Sequence, residues 1–357
     1  MGKVVISGYY GYDNIGDEAI LYSIIEAIRN FDRKLEIYVL SSSPEITSKR
    51  YNVKAAGRYN LPEIISALKD SDLFISGGGS LLQDVTSLKS PFYYLAMIQM
   101  ARILSKKTIF FCQGVGPLNS RLVRWATKET LEKVELISVR DINSKELLEG
   151  LGLSGDEIIK SVDPVFLLGD SLKIDKNRIA GDNTLGISVR PWKDNSYIKP
   201  LAEGVNQLVY DNPDLKIHLM PFHKGEDEKI SESLFKLLKT DKIKLLDVAL
   251  HPARMINYYE EIDLLLGVRL HSLIYAAITA TPFVGVSYDP KIDSFLAELN
   301  KKPAGSTELI IPEKIYDRLS YNLESQAEEI EKLNKFSQEK SIELKGILAR
   351  IFNCKEG

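Results

Sequence analysis

Short apolar runs alternate with amphipathic helical patterns along almost the whole chain. In the first half, runs typical of buried strands are separated by segments whose apolar residues recur at helical spacing. This alternation predicts a parallel sheet with helices on both faces, because parallel strands need crossover connections and helices supply them. The strand candidates of this half are residues 4–7, 35–40, 73–76, 108–112 and 136–139.

The alternation stops at a polar connector and then starts again. Residues 169–183 combine Gly, Asp, Asn and several Lys, which is typical of a linker, and 357 residues are too many for one ordinary core. We therefore predict an α/β fold of two Rossmann-like domains facing across a cleft, with a C-terminal helix packing back toward the first domain. The expected segments are residues 1–168, the linker, 184–321 and the helical 322–357, with strand candidates at 184–189, 216–220, 242–245, 264–266 and 283–286.

The composition excludes several classes of protein. A net charge of −3 argues against a nucleic-acid binder, which would carry a basic excess. Cys112 and Cys354 are far apart, so we expect neither a disulfide framework nor a metal site, and a reducing cytoplasm fits. The chain starts directly in a strand-like run, and its longest apolar stretch is interrupted by charged residues. We expect no signal peptide and no membrane span.

The segment 267–291 concentrates the most informative residues. An apolar run ends at Gly267, Arg269 and His271 follow at once, and a buried helix and a second apolar strand lead to Lys291. In open α/β sheets ligands bind where strands end, and helix N-termini favour anions. Arg269, His271 and Lys291 beside a helix N-terminus, with the backbone amides near Leu270, therefore predict an anionic ligand here.

Three glycine-bearing loops follow strands in the first half. Residues 8–18 lead into a helix, while 77–84 and 113–117 follow the next two apolar strands. None matches the dinucleotide or P-loop fingerprint. Each alone is equally typical of a tight turn, but three on one sheet edge favour a binding surface. The candidate residues are Gly78, Gly79, Ser80, Gln113 and Gly114.

Polar residues in these loops have structural alternatives. Asp13, Asn14 and Asp17 crowd against glycines, yet Asp17 could cap the following helix and Asn14 could take a left-handed turn. Arg140 follows a strand, but Asp141 or another carboxylate could pair with it. His271 could be a buried core histidine.

The remaining histidines and one basic helix face are further candidates for substrate, metal or membrane binding. His223 lies in the strand-end loop 220–227, which we consider part of a substrate site. His218, His223 and His251 lack metal-ligand spacing, so no metal site is predicted. Arg121, Arg124, Trp125 and Lys128 form either a solvated face or a contact with an anionic bilayer.

The five motifs at 11–18, 77–84, 113–117, 138–141 and 267–271 together resemble the polysaccharide pyruvyltransferase family, most closely its CsaB-type bacterial cell-wall members. The resemblance implies a GT-B-like fold and phosphoenolpyruvate as donor substrate, with no cofactor. It assigns donor binding to Arg140, to the segment Arg269, Leu270 and His271, and to Lys291. It also implies a cytoplasmic enzyme, peripheral to the inner face of the membrane, that forms a 4,6-linked pyruvate ketal. The acceptor would be N-acetylmannosamine of a lipid-linked disaccharide, as for S-layer anchoring polymers.

The chemistry suggests roles for three residues. Ketal formation requires a proton on the donor methylene carbon, and His271 is the candidate acid because imidazole exchanges protons near neutral pH. Asp13 or Asp17 is the candidate base for the sugar hydroxyl. A nucleotide-sugar glycosyltransferase on the same fold and a non-catalytic polysaccharide-binding protein stay open as alternatives. Tyr9, Tyr10 and Tyr12 are the aromatic residues that the second alternative would use.

Overall fold

The structure is a computed structural model, and it describes residues 2–85, 87–104, 106–172 and 181–352. The chain divides into two compact units, Met1–Leu167 with Lys340–Gly357, and Leu168–Glu339. Most of the expected linker and Cys354 lie outside the described residues. Cys112 is fully buried in the first unit as a free thiol. No helix in the described ranges is long and apolar enough to cross a bilayer.

The first unit is built on a seven-stranded sheet whose strands all pair in parallel. The strands are β1 (Lys3–Ser7), β2 (Glu36–Ser41), β3 (Lys54–Gly57), β4 (Leu73–Gly77), β5 (Lys107–Gln113), β6 (Leu136–Val139) and β7 (Ile158–Lys160). Their order is β3-β2-β1-β4-β5-β6-β7. Strand order therefore reverses between β1 and β4, and ligands of open α/β sheets bind at such a reversal.

Helices connect these strands, and the first shows why its sequence folds as it does. They are α1 (Ile15–Phe31), α2 (Pro44–Tyr51), α3 (Leu61–Lys69), α4 (Lys89–Ile103), α5 (Arg121–Leu131) and α6 (Ile142–Gly150), followed by short 3-10 turns at Gly155–Glu157 and Pro164–Leu167. In α1, Ile20, Ile24 and Ile28 recur at helical spacing and are fully buried. The expected cap was wrong: Asn14 caps α1 by accepting a hydrogen bond from the amide of Gly16, and Asp17 lies in the first turn.

The second unit repeats the architecture with five parallel strands. They are β8 (Thr184–Ser188), β9 (Lys216–Leu219), β10 (Ile243–Leu245), β11 (Leu264–Gly267) and β12 (Phe283–Gly285), in the order β10-β9-β8-β11-β12. Strand order reverses between β8 and β11. The helices are α7 (Leu168–Ser171), α8 (Ile198–Asp211), α9 (Asp227–Phe235), α10 (Pro252–Glu260), α11 (Leu270–Ile278), α12 (Pro290–Glu298), α13 (Pro312–Glu324) and α14 (Gln326–Phe352).

The final turns of α14 belong to the first unit, as expected from the sequence. The ring of Phe352 stacks on Phe31, with 4.4 Å between ring centroids. Lys107 donates a hydrogen bond to the carbonyl oxygen of Ile351. The apolar C-terminal turns thus complete the core around α1 and β5.

The two-domain parallel α/β prediction is confirmed, but two strands were missed. Strand β3 contains Lys54, two alanines and Gly57, and β7 has three residues, so neither forms an apolar run of normal length. Most other strand ends agree within a residue or two.

Gly78 provides a stability test of the β4–α1 junction. Its φ is +66°, and a Cβ there would lie 1.9 Å from Cγ2 of the buried Ile20. Gly78→Ala should lower the free energy of unfolding by about 3 kcal/mol, because it combines backbone strain with overpacking. Gly150→Ala is the matched control, since nothing lies within 4 Å of a Cβ at that position. Equal urea midpoints for the two variants would contradict this account.

Candidate functional site

Two arginines leave the second sheet side by side where its strand order reverses. Gly267 at the end of β11 pairs with Ser188 at the end of β8. Arg269 and Arg190 each lie two residues further along, so they emerge at the same level of neighbouring strands. Hydrogen bonds between the Tyr197 hydroxyl and the backbone of Arg190 hold that residue in place.

Arg269 is held by a buried carboxylate that the sequence analysis did not single out. Its Nε and Nη2 donate to the two oxygens of Asp227, whose side chain is 0% exposed. Asp227 also accepts from the amides of Phe222 and His223, both at 3.0 Å. The charge of Arg269 is thereby balanced, and the pair joins the β11–α11 junction to the β9–α9 loop.

Arg190 and Lys291 meet at the hydroxyl of Tyr288, just beyond β12. Nη1 of Arg190 donates to this hydroxyl at 2.5 Å, and its guanidinium lies 4.2 Å from the ring centroid. The ammonium of Lys291 lies 5.2 Å from the same centroid and 3.3 Å from Asp289. Among the residues that the structure describes, Arg190 has no carboxylate within 4.0 Å. We call Arg190, Arg269, Tyr288 and Lys291 the cation cluster.

The ionisation of Tyr288 reports the positive charge of this cluster. Burial alone would raise the pKa of its hydroxyl, yet that pKa lies below its ordinary value because of nearby cations. In order of effect these are Lys291, Arg190 and Arg269. The cluster therefore favours an anion beside Tyr288, although Asp227 and Asp289 lie next to it.

The other predicted residues of this unit lie on the adjoining elements. His271 is partly buried in the first turn of α11, two residues beyond Arg269. Leu270 is 6% exposed, so its backbone amide, and not its side chain, is what it can offer a ligand. Nδ1 of His223 lies 3.8 Å from Glu226, and the His223 amide reaches Asp227.

In the first unit, the glycine loops after β4 and β5 are tied together. The amide of Gly114 donates to the carbonyl of Gly79 at 2.8 Å, and that of Gly116 to Leu82 at 2.7 Å. The structure therefore brings together two of the predicted glycine loops. Gln113 is a correction: its side chain is 0% exposed and donates to Ser76, so it ties β5 to β4 and does not face a substrate.

The loop after β1 brings Asp17 to this surface but holds Asp13 elsewhere. Nδ2 of Asn14 donates to Asp17 at 2.7 Å, and a Cβ built on Gly79 would lie 3.1 Å from the same carboxylate. Asp13 has a left-handed backbone and pairs with Arg50 at 3.0 Å. Of the two predicted bases, Asp17 is therefore the one beside the glycine loops.

Arg140 is a buried cation beside the glycine loops of the first unit. Its guanidinium packs on Gly114, where a Cβ would lie 2.8 Å from Nε, and Nη2 donates to Ser80 at 2.7 Å. Asp141 and Asp163 each lie 3.5 Å from it. Arg140 is 7% exposed, and these two carboxylates balance its charge.

Three residues of the candidate site were missed by sequence reasoning, and each had a usable signal. Arg190 follows a strand as Arg140 and Arg269 do, and Asp227 ends the loop 220–227 that was already considered. Tyr288 stands within the segment that ends at Lys291. Across the described ranges, no group of three His, Cys, Asp or Glu side chains is placed to hold a metal ion.

The chain belongs to the polysaccharide pyruvyl transferase family, which matches residues 14–290. The match covers Arg190, Asp227, Arg269 and His271 and ends one residue before Lys291. A more distant relative is the amylovoran biosynthesis protein AmsJ of Erwinia amylovora. It is 23% identical, over 81% of this chain and 84% of its own length.

Solved structures of similar fold are enzymes of nucleotide-sugar chemistry. A putative UDP-N-acetylglucosamine 2-epimerase from Listeria monocytogenes has a TM-score of 0.67 at 12% identity, covering 98% of this chain and 95% of its own. A glycosyltransferase from Rickettsia africae has a TM-score of 0.62 at 11% identity, covering 98% and 97%. At such identities the likeness establishes the GT-B-like fold only.

The Asp227–Arg269 pair can be tested by a single substitution. Asp227→Asn should lower the free energy of unfolding by about 3 to 5 kcal/mol, because it leaves a buried guanidinium without its counter-charge. Asp241→Asn, at an exposed position of the same unit, should change it by less than about 0.5 kcal/mol. Urea unfolding measures both, and a loss no larger than the control's would show that the pair is not a structural lock.

Proposed function

We propose that the protein transfers pyruvate from phosphoenolpyruvate to a sugar of a cell-wall polysaccharide precursor and releases phosphate. The observation that carries this proposal is Arg190, a strand-end cation without a carboxylate neighbour in the described residues, beside Lys291. Membership of the pyruvyl transferase family supports the reaction class. The donor, the ketal and the acceptor are our inference.

The donor chemistry matches the cation cluster. Phosphoenolpyruvate carries a carboxylate and a phosphate, and such a ligand needs several positive donors in a small volume. Arg190 offers a planar fork, Lys291 a point charge and the start of α11 the backbone amide of Leu270. Arg269 is already paired with Asp227, so we assign it mainly to positioning these elements.

The proposed reaction has two stages. His271 delivers a proton to the methylene carbon of the donor, and a sugar hydroxyl adds to the adjacent carbon as that carbon becomes electrophilic. A second hydroxyl then displaces phosphate, which closes the 4,6-linked ketal. One hydroxyl proton replaces the proton given by His271 and the other leaves with phosphate. Asp17 is the proposed acceptor of a hydroxyl proton.

Arg140 stays a proposed donor ligand on the family resemblance alone. Asp141 and Asp163 balance its charge, whereas Arg190 has no carboxylate of this kind among the described residues. We therefore expect Arg190 to contribute more than Arg140 to donor affinity. Arg140 contacts Ser80 and Gly114, and the carbonyl of Gly79 accepts from the Gly114 amide; these three residues are assigned with Arg140 to substrate binding.

The acceptor is proposed from the resemblance and the relative. AmsJ is named for amylovoran biosynthesis, which supports a polysaccharide precursor as acceptor. We propose N-acetylmannosamine of a lipid-linked disaccharide, and hence a cytoplasmic protein that works at the membrane face. Trp125 on α5 is 61% exposed among basic residues, and we propose it as the peripheral contact.

The direct test follows phosphate release from phosphoenolpyruvate with and without synthetic N-acetylmannosaminyl-N-acetylglucosamine lipid diphosphate. Mass spectrometry identifies the sugar product. We expect release only with acceptor, a pyruvate-bearing product and full activity in a chelator, since the protein's own cations balance the donor. Transfer of a sugar from a nucleotide-sugar donor, without phosphate release, would establish the glycosyltransferase alternative instead.

Arg190→Gln tests the donor site. Loss of a charged hydrogen-bonding group should raise the KM for phosphoenolpyruvate by about tenfold to a hundredfold. The control is Arg254→Gln, an exposed arginine of the same unit that lies over the Tyr258 ring. If both variants keep the wild-type KM for the donor, the cation cluster does not bind it.

His271→Gln tests the proposed acid. Glutamine keeps a hydrogen-bonding side chain but carries no proton to give, so kcat should fall by about a hundredfold or more. The free energy of unfolding should stay close to that of the wild type, because His271 is only partly buried. A near-normal kcat in the folded variant would assign the proton to another group.

A further inference from the structure

A group of tyrosines surrounds one arginine at the edge of the first sheet where β1 and β3 end. Arg58 directly follows β3, and its guanidinium carbon lies 4.3 Å from the ring centroid of Tyr93 and 5.1 Å from that of Tyr59. The rings of Tyr12 and Tyr94 are each 5.5 Å away. We call Arg58, Tyr9, Tyr12, Tyr59, Tyr93 and Tyr94 the tyrosine platform.

Arg58 holds the platform together from within. It donates to the hydroxyls of Tyr12 at 3.2 Å and Tyr94 at 3.3 Å, while the Tyr93 hydroxyl donates to its carbonyl at 2.8 Å. Arg58 is 5% exposed, and within the described ranges no carboxylate lies within 4.0 Å of it. Its charge is therefore stabilised by ring faces and hydroxyls, which fixes the rings in one arrangement.

Two tyrosines of the platform have large areas exposed to solvent. Tyr59 is 73% exposed although its ring contacts Tyr93 at 5.4 Å. Tyr9 is 39% exposed and stacks on Tyr12 at 4.2 Å with the rings 10° from parallel. The ring of Tyr59 thus contacts Arg58 and Tyr93 and still leaves most of its surface open to solvent, and Tyr9 adds a second exposed ring beside Tyr12.

The platform adjoins the carboxylate that we assign to the sugar hydroxyl. Burial raises the pKa of Tyr94 most strongly, and Asp17 is close enough to raise it further. Asp17 acts in the same way on Tyr10, whose hydroxyl donates to the carbonyl of Gly77 at 2.6 Å. The aromatic surface and the glycine loops thus lie on one edge of the sheet.

We propose that the tyrosine platform binds the acceptor saccharide, with sugar rings resting on the exposed faces of Tyr9 and Tyr59. A pyranose presents an apolar face of C–H groups and a rim of hydroxyls. Tyrosine matches it with an apolar ring and a polar tip, and a rigid ring loses little entropy on binding. This inference rests on the proposed function for the identity of the sugar, but not for the binding itself.

The test separates acceptor binding from donor binding and from stability. Tyr59→Ala and Tyr9→Ala should each raise the KM for the lipid-linked disaccharide by about tenfold, with kcat and the KM for phosphoenolpyruvate unchanged. Tyr59→Phe should retain most of the affinity because it keeps the ring. Tyr210→Ala, at a tyrosine 84% exposed in the second unit, is the control for losing an exposed ring.

A second measurement is independent of catalysis. Calorimetric titration with the water-soluble disaccharide N-acetylmannosaminyl-N-acetylglucosamine, without donor, should show binding to the wild type and Tyr210→Ala and about tenfold weaker binding to Tyr59→Ala. Sugar binding that depends on Tyr59, in a protein that releases no phosphate, would support the platform and count against pyruvyl transfer. Unchanged acceptor KM and affinity in the alanine variants, or no disaccharide binding by the wild type, would overturn the platform.

Discussion

The candidate donor site depends on a buried ion pair between Asp227 and Arg269. The carboxylate of Asp227 has no exposed surface and accepts hydrogen bonds from two guanidinium nitrogens and two backbone amides. Its hydrogen-bonding capacity is therefore used within the protein. The pair fixes the start of α11 against the loop that carries His223. Because Asp227 balances the charge of Arg269 and Asp289 lies 3.3 Å from Lys291, Arg190 is the cation of this cluster without a carboxylate neighbour among the described residues.

Two arginines of this chain are held by aromatic rings where a carboxylate would be usual. Arg190 packs on Tyr288 and Arg58 among four tyrosines, and each follows a strand of its own sheet. A carboxylate would cancel the charge, whereas a ring face orients the guanidinium and leaves the charge in place. At Arg190, which is partly exposed, the uncancelled charge is available to an anion. At Arg58, which is buried, the guanidinium holds the tyrosine rings of the platform in place.

Alternation of apolar runs with helical patterns was sufficient to predict two parallel α/β units, because strand and helix periods differ strongly. It did not reveal β3 or β7, whose few residues are held by neighbouring strands more than by their own apolar content. Arg269 and Lys291 were found because both follow apolar strands. The contact of Arg269 with Asp227 joins residues 42 apart in the chain, and that of Arg190 with Tyr288 joins residues 98 apart, so neither pairing could be assigned from the sequence. Arg190 could have been found by asking which residues follow the strands at the reversal of each sheet.

The glycine loops also show what a sequence motif can and cannot predict about a site. The sequence indicated that Gly79, Ser80 and Gly114 share an edge, and the structure joins them by hydrogen bonds and through Arg140. Gln113 stood in the same motif, but it is the last residue of β5 and its side chain is buried against Ser76 of β4. The motifs therefore predicted which edge of the sheet carries the loops, but only the structure shows which of their side chains are exposed there.

The central claim is that the second unit selects a small doubly anionic donor over a nucleotide sugar. The most direct measurement is the shift in melting temperature caused by phosphoenolpyruvate compared with UDP and UDP-N-acetylglucosamine. A ligand at a hundred times its dissociation constant stabilises the folded state by about 2.7 kcal/mol, which is readily measured. The account predicts a rise in melting temperature with phosphoenolpyruvate and none with the uridine compounds. A rise with UDP and none with phosphoenolpyruvate would contradict it.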